Sequence, residues 1–223
     1  MTKDKSAERA GWAEVIPFSD QVLPKNEING CCRTGGGGVD GDRPAVTDII
    51  EEIRARTPSH RTLLSWSDRP IRDVATYIQE SFHRALGNHV LNAETLVDMV
   101  VGSHRLQARE DVALIRRSYA DFQTELTGHL LLEGDILYPW IFSGNGWSAL
   151  ELIDDLRSQH NVLLRKMKTV LVPALRLSES PDACEGSRSL ATTLTMLDMM
   201  LTSHVLFENN VLYRRVLEEA RPQ

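Results

Sequence analysis

Two ten-residue stretches, offset by 75 residues, constrain this chain more than anything else in it. His129-Leu-Leu-Leu-Glu-Gly-Asp-Ile-Leu-Tyr138 and His204-Val-Leu-Phe-Glu-Asn-Asn-Val-Leu-Tyr213 repeat one pattern. In each, a histidine and a glutamate stand four residues apart, which on a helix puts both on one face, one turn from each other. Each pair interrupts an apolar stripe. In the second of the expected helices the stripe runs Ile115, Tyr119, Phe122, Leu126, His129, Glu133, Ile136, Trp140. In the last helix it runs Leu190, Leu194, Leu197, Leu201, His204, Glu208, Val211. Alternating steps of three and four are the seam of a helix bundle. A buried carboxylate with no partner costs several kcal/mol, so two of them on core seams demand compensation.

Two further seams complete the set. One carries His83, Leu86, Val90, Ala93, Val97 and Val100; the other carries Ile153, Leu156, His160, Leu163, Met167, Val170 and Ala174. Helices are expected at about 70–105, 110–141, 148–176 and 188–219. Asp68-Arg69-Pro70 starts the first, with a capping acid and an early proline; Ser143-Gly144-Asn145-Gly146 ends the second; the Ser178–Gly186 stretch with Pro181 ends the third. Strand signals are absent. The fold class is all-α, an antiparallel up-down-up-down four-helix bundle over residues 68–220. His83 and His160 are offset by 77 residues, close to the 75 of the other two pairs, so the bundle reads as two similar hairpins related by a pseudo-two-fold.

The heights of these residues can be compared. In an antiparallel hairpin, residues at equal height average to the position of the turn. His83 and Glu133 average to 108, Glu133 and His160 to 146.5, and His160 and His204 to 182, and each value falls in an expected connection. His83, His129, Glu133, His160, His204 and Glu208 therefore belong at one level. A lone seam histidine is usually a hydrogen-bonded core residue, and a lone His-x3-Glu is usually a surface pair; six such residues at one height on four seams are neither. Two metal ions would remove the cost of the buried carboxylates. Glutamates can bridge two ions, each ion taking two imidazoles, with positions left for an oxo bridge or a small molecule. Mixed imidazole and carboxylate ligation with open positions suits iron, and manganese less well, whereas closed structural zinc prefers cysteine.

Residues 1–60 differ in kind. They hold Pro17, Pro24, Pro44 and Pro58, the run Gly35-Gly36-Gly37-Gly38, and the adjacent pair Cys31-Cys32. They read as a small N-terminal helical module with a short helix near 45–56 and a flexible glycine-rich stretch. Thirty-one acids against 25 bases, a net charge of −6, argue against a nucleic-acid binder or a surface drawn to anionic lipid. No apolar run reaches the ~18 residues that span a bilayer, and no signal segment follows Met1, so a soluble cytoplasmic protein is expected. Three cysteines are not a disulfide framework. Cys31-Cys32 is a candidate redox or nitric-oxide-reactive pair; Cys184 falls in a connection, and Met196, Met199 and Met200 read as core filling. His104 lies on the face of His83 but about 31 Å further along a helix, out of reach unless that helix breaks near Gly87 and Asn88.

These residues resemble hemerythrin-like bundles and, more closely, the Repair of Iron Centres family, whose pattern is a vicinal Cys-Cys, one histidine, His-x3-Glu, one histidine and His-x3-Glu. The resemblance covers nearly the whole chain and is carried by Cys31-Cys32, Phe82-His83, His129 through Pro139, Gln159-His160 and His204 through Tyr213. It implies iron–sulfur cluster repair after oxidative or nitrosative damage in the cytoplasm, by donating iron from a di-iron centre. The ligand roles it implies fall on His83, His129, Glu133, His160, His204 and Glu208, and the partners on damaged or apo iron–sulfur proteins and on small molecules such as nitric oxide or dioxygen. Gly134 and Gln159 stand where the family has acids; Glu125 matches an acid one turn before His129, a candidate polar path to the site. An enzyme reducing nitric oxide or peroxide, a dioxygen-binding or sensing module, and a metal-free interaction bundle are the competing readings. The Cys-Cys module favours iron donation and the reductase over dioxygen carriage.

Overall fold

The computed structural model describes residues 65–103, 109–144, 150–181 and 183–219. The expected N-terminal module, the helix at 45–56, Cys31-Cys32 and His104 lie outside the described residues. All regular structure among the described residues is helical, in four long rods. Rod α1 comprises Ile71–Tyr77, a π-helical turn Ile78–His83, and Arg84–Ser103. Rod α2 comprises Arg109–Leu132, a π turn Glu133–Leu137, and Tyr138–Ser143. Rod α3 is Leu150–Glu179, and rod α4 comprises Glu185–Phe207, a π turn Glu208–Leu212, and Tyr213–Glu219. Rod α2 packs on α3, α3 on α4, and α1 on both α4 and α2, the ring of neighbours of a four-helix bundle.

The rod ends follow the punctuation of the sequence with small shifts. Gly144 closes α2 at φ 76, a left-handed conformation that glycine adopts without a Cβ penalty, and its N–H bonds Ile141 O at 3.2 Å. At the start of α1 the cap position is Pro70 rather than Asp68, with no side-chain cap; Asp73 N and Val74 N bond Pro70 O. Rod α3 continues to Glu179, where the Ser178 and Ser180 hydroxyls bond Leu175 O and Leu177 O, and α4 begins at Glu185. Rod α1 is unbroken through Gly87 and Asn88 to Ser103, so it carries its end away from His83.

The core falls into two parts. Toward one end it is aliphatic and regular: Val90, Val97, Ile115, Leu126, Leu163, Leu194 and Leu201 are fully or almost fully buried. Toward the other it is aromatic: Trp66, Tyr77, Phe82, Tyr138, Phe207 and Tyr213 interlock. Trp66 stacks on Tyr77 at 4.3 Å, and Phe207 meets Tyr77 at 5.4 Å. The predicted seam holds through Glu133 and then slips. Ile136 and Trp140 are half-buried, while Leu137, Tyr138 and Ile141 take the core positions. A π turn inserts one residue into the helical repeat, so every later side chain moves round by one. Rod α4 shifts in the same way after Glu208, bringing Leu212 and Tyr213 into the core beside Val211.

Rod α4 also contains a window long and apolar enough to cross a membrane by length and composition, which the run-length reading did not find. Most of that window is buried inside the bundle, and the rod carries His204 and Glu208 at its centre.

Candidate metal centre

The three π turns among the described residues all abut the level at which the six histidines and glutamates are expected. His83 ends the first, Glu133 opens the second and Glu208 opens the third. The six side chains converge there. His129, Glu133, His160, His204 and Glu208 are buried, and His83, with 11% of its side chain exposed, is the one that reaches toward solvent.

The imidazoles form two pairs. On the α1–α4 side, His83 Nε2 and His204 Nε2 are 3.1 Å apart; on the α2–α3 side, the rings of His129 and His160 are 4.7 Å apart. The carboxylates span the pairs. Glu133 places Oε2 at 3.2 Å from His83 Nε2 and Oε1 at 3.4 Å from His129 Nε2. Glu208 places Oε1 at 3.2 Å from His204 Nε2 and Oε2 at 3.1 Å from His160 Nε2. Each glutamate thus offers one oxygen to each imidazole pair. Two four-membered sets, His129/His160/His204/Glu208 and His83/Glu133/His204/Glu208, bring one ligand atom per residue within 4.8 Å of one another. His204 is common to both sets, a sharing the division into two imidazoles per ion did not anticipate.

The donor set fits cations. Nε2 of His129, Nε2 of His160 and Oε2 of Glu133 are buried without a hydrogen bond, although leaving such an atom unpaired costs about 1–3 kcal/mol. The outer nitrogens are partnered: His129 Nδ1–H donates to Gln159 Oε1 at 3.1 Å, and His160 Nδ1–H donates to Asn209 Oδ1 at 3.2 Å. An amide oxygen on Nδ1 fixes the tautomer with Nε2 bare and aimed inward, the arrangement typical of metal-bound imidazole. The chemistry of the second pair differs. The π turn and the pseudo-symmetry put Gly134 and Phe82 where Asn209 and Gln159 stand; Phe82 packs on the His204 ring at 5.9 Å, and His204 Nδ1 has no hydrogen bond.

Without cations the charges sit awkwardly. Burial, and then the Glu208 charge, push the Glu133 carboxyl up to about 8. Glu208 is pushed up by burial too, but the neighbouring imidazoles outweigh this and hold it well below the usual carboxylate range. Burial lowers His83, yet the adjacent Glu133 and Glu208 carboxylates prevail and raise it to about 9. Burial drives His129 down to about 3 and also lowers His204.

Two residues at the centre were not singled out from the sequence. The Tyr138 hydroxyl donates to Glu208 Oε1 at 2.9 Å and lies 3.0 Å from His83 Nε2. The Tyr213 hydroxyl bonds Glu133 Oε1 and lies 3.1 Å from Glu208 Oε2, with its ring parallel to that of His160 at 5.6 Å. Burial, and then the glutamate charges, hold both phenols well above their ordinary value. The signal was present: the repeat is His-x3-Glu-x4-Tyr, with tyrosine closing both copies. A five-residue spacing points away from the glutamate in a regular helix, so only the π turn makes it meaningful. Glu125, the candidate for a polar path, forms a half-buried ion pair with Lys166 at 2.9 Å.

The sequence profile described as the hemerythrin HHE cation binding domain matches residues 72–216, the bundle almost end to end. Over 212 residues the chain is 23% identical to the iron-sulfur cluster repair protein YtfE of Escherichia coli O1:K1, a match covering 91% of this chain and 92% of that protein. The same identity and coverage hold for its counterpart in Escherichia fergusonii, and identity is 22% for that in Escherichia coli O81. The resemblance drawn from the residues is borne out.

Proposed function

The chain belongs to the hemerythrin HHE cation-binding family, and on that premise we propose that it is a di-iron protein that repairs iron–sulfur clusters damaged by oxidative or nitrosative stress, by donating iron to damaged or apo iron–sulfur proteins in the cytoplasm. His83 and His204 would hold one iron, His129 and His160 the other, and Glu133 and Glu208 would bridge them. The single observation that carries the two-ion reading is the pair of carboxylates, each with one oxygen beside each imidazole pair. The repair role is supported by similarity over nine-tenths of the chain to proteins named for it.

Bound iron supplies exchangeable cargo and one-electron chemistry. The chain's own residues supply the release. In the metal-free protein, His83 and Glu133 are both shifted toward holding a proton at neutral pH. Loading iron must expel those protons, and unloading must take them up again. His83 is the ligand through which solvent protons reach the centre, since the other five are buried.

The test is metal analysis of the purified protein, followed by anaerobic transfer to an apo iron–sulfur acceptor from the oxidised and the reduced protein. Two irons per chain and faster transfer from the reduced form are expected. Iron retained equally in both states, with rapid turnover of nitric oxide or peroxide, would replace the donor reading with a reductase; reversible dioxygen uptake without transfer would replace it with a binding module.

A further inference from the structure

We propose that Tyr138 and Tyr213 are metal ligands, each supplying its phenol oxygen to one of the two cations: Tyr138 on the His83–His204 side, Tyr213 on the His129–His160 side. The inference rests on the two-cation reading of the centre and extends its ligand set from four protein atoms per ion to five.

The atoms on the first side already have the spacing of a coordination shell. Tyr138 Oη lies 2.9 Å from Glu208 Oε1 and 3.0 Å from His83 Nε2. His83 Nε2 lies 3.1 Å from His204 Nε2 and 3.2 Å from Glu133 Oε2, and His204 Nε2 lies 3.2 Å from Glu208 Oε1. Two further separations, 3.9 Å for His83 Nε2–Glu208 Oε1 and 3.8 Å for His204 Nε2–Glu133 Oε2, are longer. With metal–ligand bonds of about 2.0–2.1 Å, neighbouring ligands at right angles stand about 3 Å apart and opposite ones about 4 Å. Five atoms drawn from three rods match that pattern, and the phenol oxygen lies about 3 Å from two of the others.

The second side repeats the arrangement. Tyr213 Oη touches Glu133 Oε1 and lies 3.1 Å from Glu208 Oε2, the two carboxylate oxygens that face the His129–His160 pair. Its ring lies parallel to His160, 6° between planes, which fixes the direction of the hydroxyl.

The backbone is built for this reach. In a regular helix five residues turn through about 500°, leaving side chains i and i+5 about 140° apart. The π turns Glu133–Leu137 and Glu208–Leu212 add one residue to the turn and bring Tyr138 and Tyr213 back to the face of the glutamates. Two copies of one irregularity, each ending at a buried tyrosine, are not needed for packing: the aliphatic end of the bundle is packed without any. On coordination, one metal–oxygen bond forms, one O–H bond breaks, and the proton leaves to solvent, with no change of oxidation state. A hard anionic oxygen selects a trivalent cation such as ferric iron.

The full chain loaded with ferric iron is the material for the test, read by metal analysis, visible absorption and resonance Raman scattering. A visible phenolate-to-iron charge-transfer band is expected, with phenolate ring vibrations enhanced under it. Tyr138→Phe and Tyr213→Phe should each lose part of the band and the double variant all of it. The chain has four tyrosines; Tyr119 donates its hydroxyl to Val90 O and Tyr77 stacks on Trp66, so neither contributes. Loaded wild type without the band overturns the proposal and needs no variant to fold. A band that survives in the double variant also overturns it, and a single variant with the band at full strength removes that tyrosine. If wild type takes up no iron, the two-cation reading itself has failed; iron uptake without the band sinks the tyrosine ligands alone.

Discussion

The two imidazole pairs are related by the pseudo-two-fold of the bundle but are differently supported. His129 and His160 are buried, their outer nitrogens held by Gln159 and Asn209. His83 is partly exposed, and His204 is backed by the ring of Phe82. The difference comes from two positions: Gly134 stands where Asn209 stands in the second copy of the repeat, and Phe82 where Gln159 stands in the other half. A hydrogen bond on Nδ1 fixes the ring and makes Nε2 a stronger donor. A symmetric ligand set can therefore hold two cations with unequal strength, the α2–α3 side firmly and the α1–α4 side loosely. For a protein proposed to give iron away, the looser, more accessible side is where loss begins.

Four predictions bear on this contrast. The largest effect erases it. Glu133 and Glu208 serve both pairs, so a Glu133→Ala, Glu208→Ala double variant is expected to bind no metal on either side, as read by metal analysis. Full iron content in that variant would remove the bridging carboxylates from the ligand set. Single histidine changes should divide the sides instead: His160→Ala should weaken the firm site and His83→Ala the loose one.

Next in size is the response of the metal-free protein to acid, where His129 and His83, one from each pair, have opposite signs. His129 is depressed from an ordinary 6.5 to about 3, so below about 6.5 the unfolded chain binds a proton that the folded one refuses. Its effect is to lower stability as pH falls from 6.5 toward 3, by at most about 1.4 kcal/mol per pH unit. His83 is raised to about 9, so its contribution is fully present below 6.5 and is lost as pH rises through 9. Urea melts of metal-free protein between pH 4 and 9 would show both limbs; His129→Gln should flatten the acid one. Metal loading at pH 7 should release protons from the His83 side, seen in calorimetry as a dependence on buffer ionisation enthalpy.

Much of this was legible before any coordinates. Steps of three and four from Ile115 to Glu133 and from Leu190 to Glu208 define core faces correctly, because those stretches are regular helix and the repeat applies. The level of the six residues follows from the same regularity. Past Glu133 the reading placed Ile136 and Trp140 in the core where Leu137 and Ile141 lie, because a π turn has no composition signal and arises from what the helix must bring together. Tyr138 and Tyr213 were hidden for the same reason. Gln159 was read as a departure from an acid; its role as the amide that orients His129 depends on a contact across rods, which one-dimensional spacing does not show.

The third prediction attacks the firm side through its support. Gln159→Leu and Asn209→Leu remove the acceptors on His129 and His160 while keeping the ligands. Loss of such a partner costs about 10–100-fold in metal affinity. Stepwise metal titration should show the tighter of two binding phases weakening toward the looser one, which itself stays in place. A uniform loss in both phases would mean that the amides support the whole bundle rather than one pair.

The smallest effect is also the most specific, because it seeks to build what the loose side lacks. A Cβ at Gly134 meets no heavy atom within 4 Å, and this residue of the π turn has no positive φ, so a side chain can be added without strain. By the pseudo-two-fold, Gly134→Asn puts an amide where Asn209 stands relative to His160, now facing His83. Replacing glycine inside a helix also adds a few tenths of a kcal/mol or more of helix preference, so the variant should fold at least as well as wild type. The expected gain is below the loss from removing Gln159, since His83 is partly exposed and water competes for its nitrogen. Titration should show the weaker phase tightening by up to about tenfold, with the stronger phase unchanged. Slower loss of iron to a chelator from that phase alone would tie the looseness of the α1–α4 side to the missing amide. An unchanged rate would assign it to the exposure of His83.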